Sequence, residues 1–288
     1  MGSLREIKDR IGSVRSTLKI TSAMKLVASS KLRKAQKAIE GLRPYEKTLG
    51  EILFSLASES KSVLCRPVEV SAEDETHRAG VAVVAISSNS SLCGGFNANV
   101  IRKASEVIEG NDVVEVYSLG RKMADAMKKK GFPSREDYSS LVARPSYEAA
   151  AALASALQKD FMEGRVSRVV LVYNHFVSNS KQVAVAETYL PFEMPSSMTG
   201  EPECADEYIV EPSPSEVVET LLPQVLMLKF YVAILDSAAA EHAARTVAMQ
   251  TATDNAEDLL GELTLEYNKG RQQKITSEIL DLLGGAAE

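Results

Sequence analysis

The sequence contains few of the residues from which metal and redox centres are built. Its three cysteines, Cys65, Cys93 and Cys204, are far apart and form no CxxC pair or Cys/His cluster with the spacing that a zinc site or a redox disulfide needs. Only three of the 288 residues are histidine. We therefore expect no metal, no cofactor, and reduced thiols without a function in a cytosolic compartment.

Motifs of nucleotide-binding and hydrolytic enzymes are also missing. The chain has no GxGxxG, no GxxxxGK[ST] and no GxSxG. The segment "SSNSSLCGGFNAN" follows a predicted strand and opens a helix, a place where N–H groups can bind phosphate. A structural turn explains it as well, and His175 and His242 have no nucleophile motif near them. We expect no catalytic residue.

The sequence lacks an uninterrupted run of about 18 apolar residues, and its N-terminus is charged from the fifth residue. We therefore expect neither a membrane span nor a signal peptide. The net charge of −6 is unevenly distributed. Residues 1–47 carry 12 Lys/Arg against 4 Asp/Glu, whereas residues 201–288 carry 5 against 17. Opposite charge predicts that the two ends meet. A nucleic-acid-binding arm is the alternative, which the lack of interleaved aromatic residues disfavours.

Both ends of the chain show the periodicity of a coiled coil. In the N-terminal part, steps of three and four residues hold one register over sixteen positions, of which Thr21, Lys25 and Glu46 are polar. These positions are Leu4, Ile7, Ile11, Val14, Leu18, Thr21, Lys25, Ala28, Leu32, Ala35, Ile39, Leu42, Glu46, Leu49, Leu53 and Leu56. We call them the N-terminal seam. Pro44 should kink or interrupt this helix.

The C-terminal part begins with "SPSE" at residues 213–216, which is a strong helix start. A heptad register follows from Val218 to Tyr267, with an expected kink at Pro223, and it slips by about one residue before Ile275. Gly284 and Gly285 should end the helix. The small residues at 238–240 and the Thr, Gln and Asn residues beyond them predict a thin, polar helix surrounded by other protein.

The middle of the chain predicts a small α/β domain. The β-rich runs "AGVAVVAISS", "DVVEVYSLG", "RVVLVYNHFV" and "KQVAVAETYL" alternate with predicted helices at 97–109, 121–130 and 147–163. Residues 73–80 and 195–214 read as linkers. The predicted domains are an N-terminal coiled-coil helix at 1–58, a central α/β domain at 75–195 and a C-terminal coiled-coil helix at 213–284. The simplest packing is an antiparallel helix pair with the domain at one end.

Three long segments together resemble a known family. "REIKDRIGSVRSTLKITSAMKLVASSKLRKAQ", "SSLCGGFNANV" and "AMQTATDNAEDLLGELTLEYNKGRQQKITSEILDLLGGA" resemble the gamma subunit of the F-type ATP synthase, in order and over essentially the whole chain. The resemblance implies an antiparallel coiled coil of the terminal helices with a central Rossmann-like α/β domain. It implies a non-catalytic rotor subunit that couples rotation of the membrane c-ring to ATP synthesis on the alpha and beta subunits.

The resemblance also implies which residues contact partners. Arg271, Gln272 and Thr276 match residues that contact a loop of a beta subunit, and Met24 and Lys25 match a segment near Arg245 and a beta loop. The residues matching the region near the c-ring and the epsilon subunit are Lys31, Arg33, Lys34 and Glu211. Cys204 stands alone, so the thiol control of plant-type plastid subunits is not expected.

The implied location is the cytoplasmic face of the bacterial plasma membrane, held there by the complex, with no membrane insertion, no nucleic acid and no homo-oligomer. Two other functions remain open from the residues alone. A coiled-coil tether or chaperone with a globular head would be a stable monomer or homodimer without a copurifying nucleotidase. A dinucleotide enzyme would bind nucleotide tightly as the isolated chain. The coupling ion and the usual direction of rotation cannot be read from this sequence.

Overall fold

The computed structural model describes residues 4–57, 80–192 and 210–285. Two long helices, α1 (Leu4–Ala57) and α6 (Pro214–Gly285), stand at the two ends of the chain. Between them lie β1 (Gly80–Ile86), α2 (Phe96–Glu109), β2 (Val113–Leu119), α3 (Arg121–Lys129), α4 (Ser139–Ala143), α5 (Tyr147–Met162), β3 (Val166–Phe176) and β4 (Gln182–Leu190). The four strands and three longer helices of the middle were predicted from the sequence, and α4 was not. Cys65, Cys204 and most of both predicted linkers lie outside the described residues.

The strands form one mixed sheet in the order β2-β1-β3-β4. β1 is parallel to β2 and to β3, whereas β3 and β4 form an antiparallel pair. Every residue of the central strand β1 is buried, as expected of a parallel strand covered on both faces. The antiparallel edge strand is a detail that the predicted Rossmann-like pattern did not contain.

Two apolar clusters cover the two faces of the sheet. Val81, Val83 and Ala85 of β1 pack with apolar residues of α2 and α3 on one face. Ala82 and Val84 pack on the other face with α5, the end of α1 and the first part of α6. Alternate side chains of a strand point to opposite faces, so β1 contributes to both cores.

α1 runs without a break from Leu4 to Ala57, although it contains Pro44. Of the two expected effects of Pro44, an interruption of the helix was therefore wrong, and a kink stays a prediction. Pro44 itself is exposed, while Leu49, Leu53 and Leu56 beyond it are buried in the core of the α/β domain. Their burial holds the following turns helical and outweighs the single backbone hydrogen bond that proline removes.

α6 begins as predicted. The Ser213 hydroxyl accepts a hydrogen bond from the Glu216 N–H at 3.4 Å, and Pro214 occupies the first helical position. The helix continues through Pro223 to Gly285. All heptad positions from Val218 to Tyr267 are buried or half-buried, whereas Ile275 and Ile279, beyond the predicted slip in register, are exposed.

The chain divides into two compact units. Unit 1 comprises Met1–Ser29 and Arg245–Glu288, and unit 2 comprises Ser30–Ala244. Unit 1 pairs the start of α1 with the second half of α6, and unit 2 contains the sheet together with the remaining parts of both helices. The three domain boundaries given above remain a prediction.

One helix meets the composition and length expected of a membrane span, contrary to our expectation. A window within Pro214–Leu280 reaches a mean hydropathy of 1.6, and 44% of that window is buried inside the protein. The sequence count missed it because Lys229 and Asp236 interrupt the strict apolar run. Leu226, Phe230 and Ile234 belong to the core of unit 2, which accounts for this apolar composition.

Candidate partner-contact surfaces

The predicted contact residues fall into two groups that coincide with the two compact units. All six residues expected to face a beta subunit lie in unit 1: Met24, Lys25, Arg245, Arg271, Gln272 and Thr276. All four residues expected near the c-ring and epsilon lie in unit 2: Lys31, Arg33, Lys34 and Glu211. The fold therefore keeps the two predicted functions on separate bodies.

Two polar positions of the N-terminal seam, Thr21 and Lys25, bond to the other helix. The hydroxyl groups of Thr21 and Thr253 lie 2.9 Å apart and are buried. One turn further along α1, Lys25 Nζ donates a hydrogen bond to Gln250 Oε1 at 2.8 Å. Rising numbers in α1 meet falling numbers in α6, so the helices of unit 1 are antiparallel.

Thr21 and Lys25 therefore join the two helices, although they are polar positions in an otherwise apolar seam. Thr21 is only 8% exposed and bonds across the seam. Lys25 is half-buried, and its ammonium group is held by Gln250. Long-range hydrogen bonds of this kind, between residues more than 200 positions apart, leave no trace in local periodicity.

Met24 and Arg245 have less accessible surface than a pure contact role predicts. Met24 is half-buried, and Arg245 is 8% exposed. An arginine at this depth needs partners for its guanidinium group within the fold. The side chain of Arg245 therefore contributes to the packing of unit 1, in addition to any contact with a partner.

Arg271, Gln272 and Thr276 are exposed on the last turns of α6 whose side chains the structure describes. Arg245 and Arg271 are separated by 26 residues, or about 39 Å along a helix at 1.5 Å per residue. Arg245 and the group of Arg271, Gln272 and Thr276 thus mark two separate levels of α6, which we call the first and the second predicted contact level; Met24 and Lys25 on α1 are assigned to the first. A partner that touches both levels has to be long or present in more than one copy.

The threonine hydroxyl groups of α6 bond to the helix that carries them. Thr251, Thr264 and Thr276 donate to the carbonyl oxygens of Val247, Leu260 and Gln272 at 2.7–3.2 Å. Each hydroxyl has a single hydrogen, so these groups can only accept a bond from a partner. Fewer hydroxyl groups on α6 can therefore donate a hydrogen bond to a partner protein than the number of threonines suggests.

Sequence reasoning missed the apolar side chains on the surface of unit 1. Those more than half exposed are Ile20, Leu26, Val27, Leu265, Ile279 and Leu280. Leu265, at 73%, is the most exposed of them. Exposed apolar side chains on both helices favour a surface that other protein covers. Their positions outside the heptad register were the signal that could have identified them.

The predicted foot residues are all on the surface of unit 2. Lys31, Arg33 and Lys34 are exposed on α1, and the neighbouring Lys37 is exposed as well. Glu211 is exposed just before α6 begins. The basic side chains present a positive surface to any acidic partner, whereas the apolar residues between them, such as Leu32 and Ala35, pack against Ala239 and Ala243.

The turn after β1 is held together by its own side chains. Asn97 accepts a hydrogen bond from the Ser88 N–H at 3.1 Å, and its amide group donates to Ser88 Oγ at 2.8 Å and to Cys93 Sγ at 3.2 Å. Cys93 is buried. These contacts account for the Ser, Asn and Cys residues of this segment as structural elements.

Comparisons with known proteins support the same interpretation over the entire chain. A family model described as ATP synthase matches residues 3–287. The ATP synthase gamma chain of Phocaeicola vulgatus is 48% identical over 292 residues, which cover 99% of each chain. That of Bacteroides fragilis is 47% identical over 298 residues, also with 99% of each chain covered. The chain belongs to the ATP synthase gamma chain family. Members more distant in sequence include the gamma chain of Flavobacterium johnsoniae, at 39% identity.

Chains in solved structures share this fold at much lower identity. A chain from the rotor of the Euglena gracilis mitochondrial ATP synthase superposes with a TM-score of 0.63 at 20% identity, covering 95% of this chain and 99% of that one. A chain from another rotational state of the same enzyme gives 0.66 at 19% identity, covering 99% and 94%. The predicted class, an α/β domain combined with long terminal helices, is thus confirmed.

Proposed function

We propose that this chain is the non-catalytic central-stalk subunit of an F-type ATP synthase, which couples rotation of a membrane c-ring to ATP synthesis on alpha and beta subunits. Membership of the gamma chain family is the observation that carries this function. The separation of the predicted contacts onto two compact units supports it, because a rotor needs one part that is driven and another that acts on the catalytic subunits.

Unit 1 is the part that lies among the alpha and beta subunits. Its long antiparallel helices carry exposed apolar side chains as well as the exposed polar residues Arg271 and Gln272. Apolar contacts have no preferred direction, so they permit rotation, whereas the guanidinium group of Arg271 can bond to a partner at a defined angle. Unit 2, with Lys31, Arg33, Lys34 and Glu211, is the part that contacts the c-ring and epsilon. The chain is therefore peripheral to the membrane, on its cytoplasmic face.

Reconstitution tests the function directly. The purified chain is combined with alpha and beta subunits from the same organism, and assembly and ATP hydrolysis are measured. We expect one copy of the chain per assembly and a changed rate of hydrolysis. A chain that stays apart as a stable monomer or homodimer would support the tether or chaperone instead, and tight binding of a nucleotide by the isolated chain would support an enzyme.

The Arg271→Ala variant tests the second contact level. Arg271 is exposed, so its removal leaves the isolated chain as stable as before, while it weakens assembly or torque transfer in the complex. Lys274→Ala provides a matched control, since Lys274 is an exposed cation one turn further on, 3.7 Å from Glu278. An unchanged complex with the Arg271 variant would refute the contact.

The Met24→Lys variant tests the first contact level. It adds a positive charge beside Lys25 on a half-buried position, and we expect it to impair coupling between ATP hydrolysis and ion transport more than folding. Met24→Leu is the control, because it keeps the size and the apolar character of the side chain. Equal losses of assembly and coupling in the lysine variant would count against this contact.

A further inference from the structure

In unit 2, the α/β domain holds one face of α6 in an apolar core. Leu222, Leu226 and Phe230 are at most 1% exposed and belong to one cluster with the residues of α5 and β3. Turning of the helix about its axis would pull these side chains out of a close-packed core. Contacts with a preferred geometry add to this resistance, because the apolar attraction itself is non-directional.

Three polar contacts in unit 2 supply such geometry. Gln158 Nε2 donates to the Pro223 carbonyl oxygen at 3.3 Å, and the buried Tyr189 hydroxyl donates to the Leu226 carbonyl oxygen at 2.9 Å. The third contact involves a side chain of α6 itself, the carboxylate of Asp236. All three join α6 to elements of the α/β domain.

Asp236 binds the end of strand β3 with both of its oxygens. Oδ1 accepts a hydrogen bond from the Phe176 N–H at 3.1 Å, and Oδ2 lies 2.5 Å from His175 Nδ1. The carboxylate is largely buried, with 14% of its side chain exposed, whereas His175 is 53% exposed. A hydrogen bond to an ionised acceptor is stronger and more directional than one between neutral groups.

The end of β3 that Asp236 binds also packs closely against α6 through the Phe176 ring. The Phe176 ring packs against two groups of small residues on α6, one with Ala239 and Ala243 and one with Ala240 and Ala244. The small side chains let the strand end approach the helix closely. They are therefore explained by packing within unit 2, and not by a thin helix that other proteins surround, as the sequence suggested.

We propose that Asp236 is a torque-bearing positioning residue, which locks α6 against rotation relative to the α/β domain through Phe176 and His175. This inference rests on the proposed rotor function. A rotation of α6 by one residue, about 100°, would break all three polar contacts at once. Force applied to the α/β domain is thereby carried into α6, which continues from unit 2 into unit 1.

The test uses the complete complex in inverted membrane vesicles. ATP hydrolysis and the ATP-dependent membrane potential are measured together, the latter with a voltage-sensitive dye that responds to H⁺ and Na⁺ alike. With Asp236→Ala we expect normal assembly, hydrolysis close to the unaltered rate, and a severalfold loss of membrane potential per ATP hydrolysed. Asp236→Asn keeps an oxygen for the Phe176 N–H, so it should restore most of the coupling. Glu219→Ala, which removes an exposed acid from the same helix and unit, should behave like the unaltered chain.

A second measurement follows the contact between Asp236 and the end of β3 in the isolated chain. Loss of the charge-assisted bond should lower the protection of the Phe176 amide against hydrogen exchange roughly tenfold in Asp236→Ala, without a comparable loss across the rest of the sheet. His175→Ala, at an exposed position, gives a milder variant should Asp236→Ala fold poorly.

The outcomes distinguish a failure of the inference about Asp236 from a failure of the proposed function. Normal coupling in Asp236→Ala would overturn the inference, and so would equal losses of stability, assembly and coupling that Asp236→Asn does not restore. If the unaltered chain does not assemble with alpha and beta subunits, the rotor function fails. Amide exchange in the isolated chain still shows whether Asp236 holds β3 to α6.

Discussion

Replacing Thr21 and Thr253 by valine tests whether this polar pair stabilises unit 1 only as a pair. Both hydroxyl groups are nearly inaccessible, at 8% and 5% exposure, and the two oxygens lie 2.9 Å apart. Thr21 Oγ1 is also 3.1 Å from the Leu18 carbonyl oxygen, and Thr253 Oγ1 is 2.8 Å from the Met249 carbonyl oxygen. Each hydroxyl donates once, so only one of them can donate across the seam at a time.

The expected change in the free energy of unfolding follows from the hydrogen bonds that remain after each substitution. Valine in place of Thr253 removes the bond between the helices, while the Thr21 hydroxyl can still donate to Leu18. A net loss of about 1 kcal/mol in the free energy of unfolding is expected for either single variant. In the double variant both hydroxyl groups are replaced by methyl groups of the same shape. An apolar pair in an apolar seam should restore the stability to within about 0.5 kcal/mol of the unaltered chain.

The assay is a double-mutant cycle measured by urea unfolding and by hydrogen exchange of the amides in residues 4–29. A loss of 1 kcal/mol corresponds to roughly a fivefold increase in opening of unit 1. The coupling energy of the two substitutions should be about 1.5 to 2 kcal/mol with compensating sign. Single variants without effect, or a double variant that loses the sum of both, would refute the reasoning.

Two further predictions concern the α/β domain. Gly120→Ala should lower the free energy of unfolding far more than Gly131→Ala. Both glycines have positive φ, at +99° and +91°, but only at Gly120 would a Cβ atom lie 2.4 Å from a backbone oxygen, that of Ser87. Urea unfolding of the two variants measures the difference, and equal losses would contradict the steric argument. Burial, together with the carboxylates of Glu136 and Glu115, raises the pKa of Tyr138 from 10.0 to about 12. The unfolded chain therefore releases the Tyr138 proton at a lower pH than the folded chain does. The contribution of Tyr138 to the free energy of unfolding is fully present below pH 10 and is lost as the pH rises toward 12. Thermal unfolding of the chain and of Tyr138→Phe over that range checks the sign, since the phenylalanine variant should lose less stability.

Much of the fold could be predicted because local sequence fixes it. The "SPSE" start of α6, the alternation of strands and helices in the middle, and the heptad register all depend on residues a few positions apart. The predicted helix 97–109 agrees with α2 to one residue. α4 escaped prediction because five residues between Tyr138 and Arg144 are too short for periodicity to show.

The contact surfaces were predicted less completely. Resemblance supplied the ten residues, and the structure separated them into two units without testing their partners. The bond of Lys25 to Gln250 was not predicted, because it joins residues 225 positions apart. Exposed residues such as Leu265 were missed since apolar character alone does not reveal which face of a helix remains uncovered.

The sequence by itself determined that two long helices flank an α/β domain, because hydrophobic period, capping residues and turn residues act over a few positions. Only the tertiary structure decided that α1 continues through Pro44, that Thr21 pairs with Thr253, and that Asp236 binds the end of β3. Each of these depends on groups brought together from distant parts of the chain. Their energies arise from burial and from hydrogen bonds that exist only after the helices have packed.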